Sequence, residues 1–229
     1  MKKRFFVAGT DTDVGKTYVS TGLLSAAVRN GERAFGLKPI AAGAEQIDGA
    51  LRNEDALAIL AAGNVSLAYE QINPVVLEEA IAPHIAAAHE GKLITSSRLE
   101  GYIKGSMLNP HDFMLVEGAG GWRVPLNDRE LLSDLAKSLK FPVILVVNMK
   151  LGCLNHALLT VESIIRDGLN IAGWVANRGL ESMAFYNENL ATLKHMINAP
   201  LLGELSWMPS DEAARSEFDA IYQLLSTKD

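Results

Sequence analysis

Two hydrophobic patterns alternate along the chain. Short apolar runs recur at residues 4–8, 34–38, 113–117, 143–148, 172–177 and 201–204, and each predicts a β-strand. Several are nearly continuous in apolar residues, above all Val143-Ile144-Leu145-Val146-Val147. Such a run reads as a strand buried on both faces, the signature of a parallel sheet covered by helices. Between the strands, helical patterns occupy residues 16–30, 54–62, 97–104, 131–139, 156–167, 183–196 and 212–225. This alternation predicts βαβ units, and so an α/β fold with a doubly wound, mostly parallel sheet flanked by helices. Ligands of such sheets sit beyond the carboxyl ends of the strands, which directs attention to the residue following each strand. Segment 64–83, with Pro74 and Pro83, fits neither pattern. It reads either as a lobe or lid over a site or as exposed connecting loop.

Composition narrows the function classes. With 229 residues, 48% hydrophobic and 21% charged, the chain predicts a single soluble α/β domain over 1–229 with a sizeable core. Cys153 is the sole cysteine, so an intramolecular disulfide and a cysteine metal cluster are excluded, which fits a reducing compartment. The basic start Met1-Lys2-Lys3-Arg4 precedes an apolar run too short for a signal-peptide core, and no stretch approaches membrane-span length. Net charge is −6 without a Lys/Arg cluster, which argues against nucleic acid. An acidic protein must build any phosphate site locally.

Such a site is written at Gly9-Thr10-Asp11-Thr12-Asp13-Val14-Gly15-Lys16-Thr17, between the first strand and the first helix. Loop amides and a helix start supply donors to phosphate oxygens, a lysine reaches the β- and γ-phosphates, and a Thr hydroxyl suits Mg²⁺. The first glycine stands one residue earlier than the strict P-loop pattern requires, so the loop is one residue longer. A second feature, Phe113-Met114-Leu115-Val116-Glu117-Gly118-Ala119-Gly120-Gly121, is an apolar strand ending in an acid where P-loop enzymes keep a metal-binding carboxylate. Asp55 lies at a helix start, where an acid also serves the helix dipole. Lys38 closes a strand before Pro39 and is either a solvated charge or a site residue. Asn177 ends another strand; its amide suits a base edge, and equally a turn. The five histidines show no metal-ligand spacing.

In order, these segments resemble the dethiobiotin synthetase family of P-loop NTPase-like proteins. The resemblance spans residue 3 to about 207 and includes Lys38-Pro39 with Gly43, Leu51-Arg52-Asn53-Glu54-Asp55-Ala56, and Asn73-Pro74. It continues through Val116-Glu117-Gly118-Ala119-Gly120-Gly121-Trp122, Lys150-Leu151-Gly152-Cys153-Leu154-Asn155-His156-Ala157, Gly173-Trp174-Val175-Ala176-Asn177 and Ala199-Pro200-Leu201-Leu202-Gly203-Glu204. The resemblance implies a cytoplasmic, homodimeric, Mg²⁺- and ATP-dependent ligase that makes dethiobiotin from 7,8-diaminononanoate and CO2. It implies Thr17, Asp55 and Glu117 as metal ligands, with Lys16 and Lys38 as the catalytic cations. ATP would be held by Asp13, Val14, Gly15, Lys16, Thr17, Tyr18, Asp55, Glu117, Gly118, Ala119, Gly120, Asn177 and Arg178. The diamine would meet Thr12, Lys38 and Ala42, and its carboxylate the turn holding Gly152, Cys153, Leu154 and Asn155. The free amides of that helix start and the length of the diamine further suggest a site shared between two subunits.

Three positions depart from the family pattern. Ala42 stands where a serine is common, Asp13 replaces an expected Glu, and Tyr186 lies one turn before the place of an expected tyrosine near Asn189. Three rival readings remain, and against one of them, a non-enzymatic nucleotide-binding module, stand the three candidate metal ligands. A partitioning-type switch ATPase would carry an extra lysine within residues 10–14, which hold none. An amidotransferase synthetase would need a nucleophilic cysteine in glutaminase context, which Cys153 lacks.

Overall fold

The computed structural model describes residues 2–179 and 183–227. In chain order its elements are β1 (Lys3–Gly9), α1 (Lys16–Arg29), β2 (Ala34–Leu37), β3 (Ile40–Ala41), β4 (Glu45–Ile47), β5 (Ala50–Arg52) and α2 (Glu54–Ala62). Then follow α3 (Tyr69–Ile72), β6 (Val75–Val76), α4 (Pro83–His89), α5 (Ser96–Ser106), β7 (Phe113–Glu117) and α6 (Leu132–Leu139). The chain continues through β8 (Val143–Asn148), α7 (Cys153–Arg166), β9 (Ile171–Asn177), α8 (Tyr186–Met196), β10 (Leu201–Leu205) and α9 (Asp211–Ser226).

The six strands expected from the apolar runs form one sheet in the order β10-β9-β8-β1-β7-β2, every pairing parallel. All five residues of β7 and the first five of β8 are buried, as continuous apolar strands between helix layers must be. Right-handed crossovers put α1, which leads from β1 to β2, on one face, and α6, α7 and α8, which run the opposite way, on the other. Contacts agree: α1 packs on α9 and α2, while α5 meets α6 and α7 meets α8. Strand order reverses around β1, β7 and β8, so the switch-point crevice opens beyond their carboxyl ends. Among the described residues, no helix is long and apolar enough to cross a membrane.

Segment 64–83 corrects one expectation. It is not simply exposed loop: α3 and β6 lie within it, β6 pairs in parallel with β3, and Tyr69, Ile72 and Leu77 are buried. Its apolar residues are too scattered to show a period, because only one turn of helix and two residues of strand carry them inward. The hairpin β4–β5 is a second addition. Its turn, Asp48-Gly49, has both φ values positive (51° and 78°), the two-residue connection that matches strand twist. Two helix starts also shift. The helix expected from 156 begins at Cys153, and the one expected from 183 begins at Tyr186, with 180–182 outside the described residues.

Candidate active site

β1 delivers Gly9 to the carboxyl edge of the sheet, where the Thr10 amide donates to Val146 O (3.1 Å) and fixes the loop to β8. Within the loop, Asp13 (φ 54°) and Gly15 (φ 93°) are left-handed. Such alternation turns successive N–H groups toward one concavity. Helix α1 then starts with no side-chain cap and no acid in its first turn, so its amides and positive dipole end stay open to an anion. The loop is braced from β9: Asn177 Nδ2 donates to Val14 O (2.8 Å). Gly15 lies so close beneath this amide that an added Cβ would overlap Asn177 Nδ2.

Behind the loop three charged side chains meet a hydroxyl. Lys38 is 4% exposed and Glu117 1% exposed, so Lys38 is no solvated strand-end charge. Its Nζ donates to Glu117 Oε1 (2.6 Å) and Asp55 Oδ2 (2.8 Å), and Thr17 Oγ1 donates to the same Glu117 oxygen (2.8 Å). Burial alone would lower the Lys38 pKa; the Glu117 and Asp55 carboxylates more than offset it and hold the ammonium above its ordinary value. Burial likewise disfavours the Asp55 carboxylate, and Lys38 outweighs this and holds its pKa below the usual range. Lys16, also buried, donates to Asp11 O (2.9 Å). Burial first, and then the like charge of Lys38, push its pKa down to about 8. Two lysines thus share a poorly solvated cleft whose anionic ligand would offset their repulsion.

These residues also fit a magnesium ion. Glu117 Oε2 is buried with no hydrogen-bond partner, and Thr17, Asp55 and Glu117 present only hard oxygens. No group of three His, Cys, Asp or Glu among the described residues could hold a metal. Mg²⁺ does not need one, because it is usually bound through one or two carboxylates together with nucleotide phosphates.

A buried polar relay, not anticipated from the sequence, holds Lys38 and Asp55 in register. Tyr69 Oη accepts from the Asn53 amide (2.8 Å) and donates to Asn73 Oδ1 (2.9 Å); Asn73 Nδ2 donates to Lys38 O (2.6 Å). Asn53 caps α2 through Ala56 N (3.3 Å) and donates to Ala42 O (3.3 Å), while Arg52 lies 4.2 Å over the Tyr69 ring. One hydroxyl therefore ties the backbone of Lys38 to the helix start that carries Asp55. In Tyr69→Phe both partners lose it in a dry setting, so stability should fall by about 1–3 kcal/mol. Turnover should fall while nucleotide affinity holds; denaturant titration and isothermal calorimetry check each, and a variant normal in both would remove the relay from the site.

Two clefts flank the phosphate loop and share Asp11, Thr12, Asp13 and Gly15 on their walls. The first, about 950 Å³, brings together Lys16, Thr17, Lys38, Ala42, Asp55, Ala119, Gly120 and Arg123, with an apolar wall of Ala80, Ile81, Ala82 and Pro83. The second, about 960 Å³, is lined by Tyr18, Asn148, Lys150, Asn177, Arg178, Trp207 and Met208. Sequence reasoning missed Asp11, Arg123 and the 80–83 wall; it left Trp207 without a role. Other expected residues are not brought to these walls. Gly118 packs against Phe6 and donates to Val7 O (3.0 Å), Val14 is buried, and Tyr186 turns to Arg178 and Glu204. Gly152, Cys153, Leu154 and Asn155 lie outside both clefts of the single chain. Cys153 is buried, and burial pushes its thiol pKa up, which is the wrong direction for the nucleophile of an amidotransferase.

A phosphate loop at the switch point of a parallel sheet, with a nucleotide-sized cleft on either side, is the architecture of a P-loop nucleotide-binding protein. Solved structures agree on the fold: the septum site-determining protein MinD complexed with Mg-ADP from Pyrococcus horikoshii superposes with a TM-score of 0.62 at 17% identity, covering 99% of this chain and 97% of that one. MinD from Aquifex aeolicus gives 0.62 at 14% identity, covering 99% and 98%. A family model described as an AAA domain matches residues 3–215. Among curated relatives, the ATP-dependent dethiobiotin synthetase BioD of Cellvibrio japonicus is 54% identical over 221 residues, 95% of this chain and 96% of its own. Those of Marinobacter nauticus (50%; 93% and 92%) and Aeromonas salmonicida (46%; 96% and 98%) carry the same name. The chain belongs to the ATP-dependent dethiobiotin synthetase family.

Proposed function

We propose that this chain closes the ureido ring of dethiobiotin from 7,8-diaminononanoate and CO2, using ATP and Mg²⁺. One substrate amine takes up CO2 and loses a proton to give a carbamate. A carbamate oxygen attacks the γ-phosphorus and ADP leaves, forming a carbamic–phosphoric anhydride; the second amine attacks the carbonyl carbon, phosphate departs and the attacking nitrogen loses a proton. The observation that carries this reading is the first cleft, which sets two buried lysines against an apolar wall. Anionic oxygens belong at Lys16 and Lys38, and a saturated carbon chain belongs against Ala80, Ile81, Ala82 and Pro83.

The protein's work is to position reactants and stabilise charge. Thr17, Asp55 and Glu117 would hold Mg²⁺, which supplies neutralisation of phosphate charge when bound. The loop amides orient the phosphates, and Lys16 stabilises the transferring phosphoryl group. Lys38 offers a cation to carbamate oxygens. The second cleft takes the base and ribose, with Tyr18, Asn177 and Arg178 at its walls. Asn177 keeps one amide N–H for the base beyond its bond to Val14. Phosphate release from ATP and Mg²⁺ tests the reading: it should depend on both the diamine and bicarbonate. Hydrolysis indifferent to the diamine would favour the switch ATPase. The absence of any disulfide partner for Cys153 suits work in the cytoplasm.

The diamine's carboxylate belongs at the start of α7 on a second subunit of a homodimer. That start has an uncapped Gly152 (φ 94°), and the exposed Leu151 and Leu159 beside it suit a subunit contact. Mixing subunits tests this. Lys16→Ala chains and chains damaged at Asn155, each inactive alone, should recover roughly a quarter of wild-type activity after equal exchange, because half of the dimers gain one intact site. No recovery with exchange confirmed would assign each site to one chain.

A further inference from the structure

Lys38 stands where the two proposed metal carboxylates converge. Its ammonium is within 2.6 Å of Glu117 and 2.8 Å of Asp55, and both Lys38 and Glu117 are almost fully buried. A divalent cation on the free oxygens of these carboxylates, Glu117 Oε2 among them, would stand beside the ammonium. Two cations beside one buried glutamate oppose each other, since like charges a few ångströms apart repel strongly even at a protein-like dielectric of about 20. Metal entry therefore requires the ammonium to leave.

The destination of the ammonium decides when this can happen. Lys38 lines the first cleft beside Lys16, and without phosphate there the displaced ammonium would move toward a second positive charge. Nucleotide phosphates supply the missing anion. We propose that Lys38 is a cation placeholder: it holds Asp55 and Glu117 together in the empty protein, yields them only to metal arriving with nucleotide, and is thereby delivered into the cleft. The placeholder explains why a buried glutamate with one unpartnered oxygen is tolerated before loading. It also orders binding, since metal alone is excluded and Lys38 is released only when phosphates are present to receive it.

This inference rests on the proposed metal site, and the two are separable by Mn²⁺ binding followed by electron paramagnetic resonance. Wild-type protein without nucleotide should show no tight Mn²⁺ site, and should gain one on addition of a non-hydrolysable ATP analogue. Lys38→Met should bind Mn²⁺ alone at least about a hundredfold more tightly than wild type, the scale expected when a unit charge at contact is removed. Mn²⁺ alone should raise the melting temperature of Lys38→Met and leave that of wild type unmoved. Lys38→Gln offers a shorter polar replacement should the Met variant not fold; recovery of its fold by Mn²⁺ alone counts as binding. Wild-type protein that binds Mn²⁺ without nucleotide as tightly as Lys38→Met overturns the placeholder. Asp55→Asn and Glu117→Gln report on the other reading: if both keep the nucleotide-dependent Mn²⁺ signal, the metal site itself is misplaced.

Discussion

Lys16→Ala is expected to bind nucleotide and yet turn over about 10²–10³-fold more slowly, the usual scale for removing one preorganised electrostatic donor. The expectation follows from a division of labour within the loop. Ground-state phosphate binding rests on backbone amides, the left-handed turns at Asp13 and Gly15, and the open start of α1, none of which the substitution removes. Lys16 instead lies buried against Asp11 O, with its pKa lowered to about 8 by burial and by Lys38. An ammonium held in poor solvation gains most from the charge that develops as the γ-phosphoryl group transfers, so its effect falls on turnover rather than on affinity. Calorimetry with a non-hydrolysable analogue and single-turnover phosphate release separate the two quantities. A variant with ordinary turnover would remove Lys16 from the chemistry, and one that no longer binds nucleotide would show that the amides do not suffice.

How far the sequence foretold this site depends on the range of each interaction. The central sheet was legible because every strand repeats one local signal: Val143–Val147 and Phe113–Val116 are apolar throughout and flanked by helical periods. The phosphate loop was legible for the same reason, its loop and helix start being contiguous. Hairpin β4–β5 went unread although Asp48-Gly49 announces it; its strands are three residues long and carry no buried face, so no apolar pattern drew attention to the turn. Segment 64–83 failed differently. Tyr69 and Asn73 earn burial through bonds to Asn53 and Lys38, up to 35 positions away in sequence, and no local period encodes such a bond. Asp55 shows the middle case. Its place in the first turn of α2 satisfies a dipole argument completely, and only the 2.8 Å contact with Lys38 reveals a second role. The α7 start was read as part of the site from resemblance and from the free amides of a helix start, and the single chain keeps Gly152–Asn155 outside both clefts.

The largest effect of any single methyl group should come from Gly15→Ala. The position is left-handed (φ 93°), and holding a residue with a Cβ there costs roughly 1–2 kcal/mol. Space makes matters worse, because the new Cβ would overlap Asn177 Nδ2, whose bond to Val14 O braces the loop from β9. Either the amide swings away and the brace is lost, or the loop shifts and its N–H groups no longer converge. In both cases the phosphate cradle is damaged, and nucleotide affinity should fall by about a hundredfold or more, taking strain and the lost hydrogen bond together. Lys16→Ala leaves affinity nearly unchanged, so one binding measurement distinguishes the two variants. The clash and the brace are separable by a double-mutant cycle with Asn177→Ala. That change removes the amide from the overlap, so Gly15→Ala should cost distinctly less affinity in the Asn177→Ala background than in wild type. Equal costs in both backgrounds would mean that backbone strain at Gly15, and not its contact with Asn177, is what makes glycine necessary.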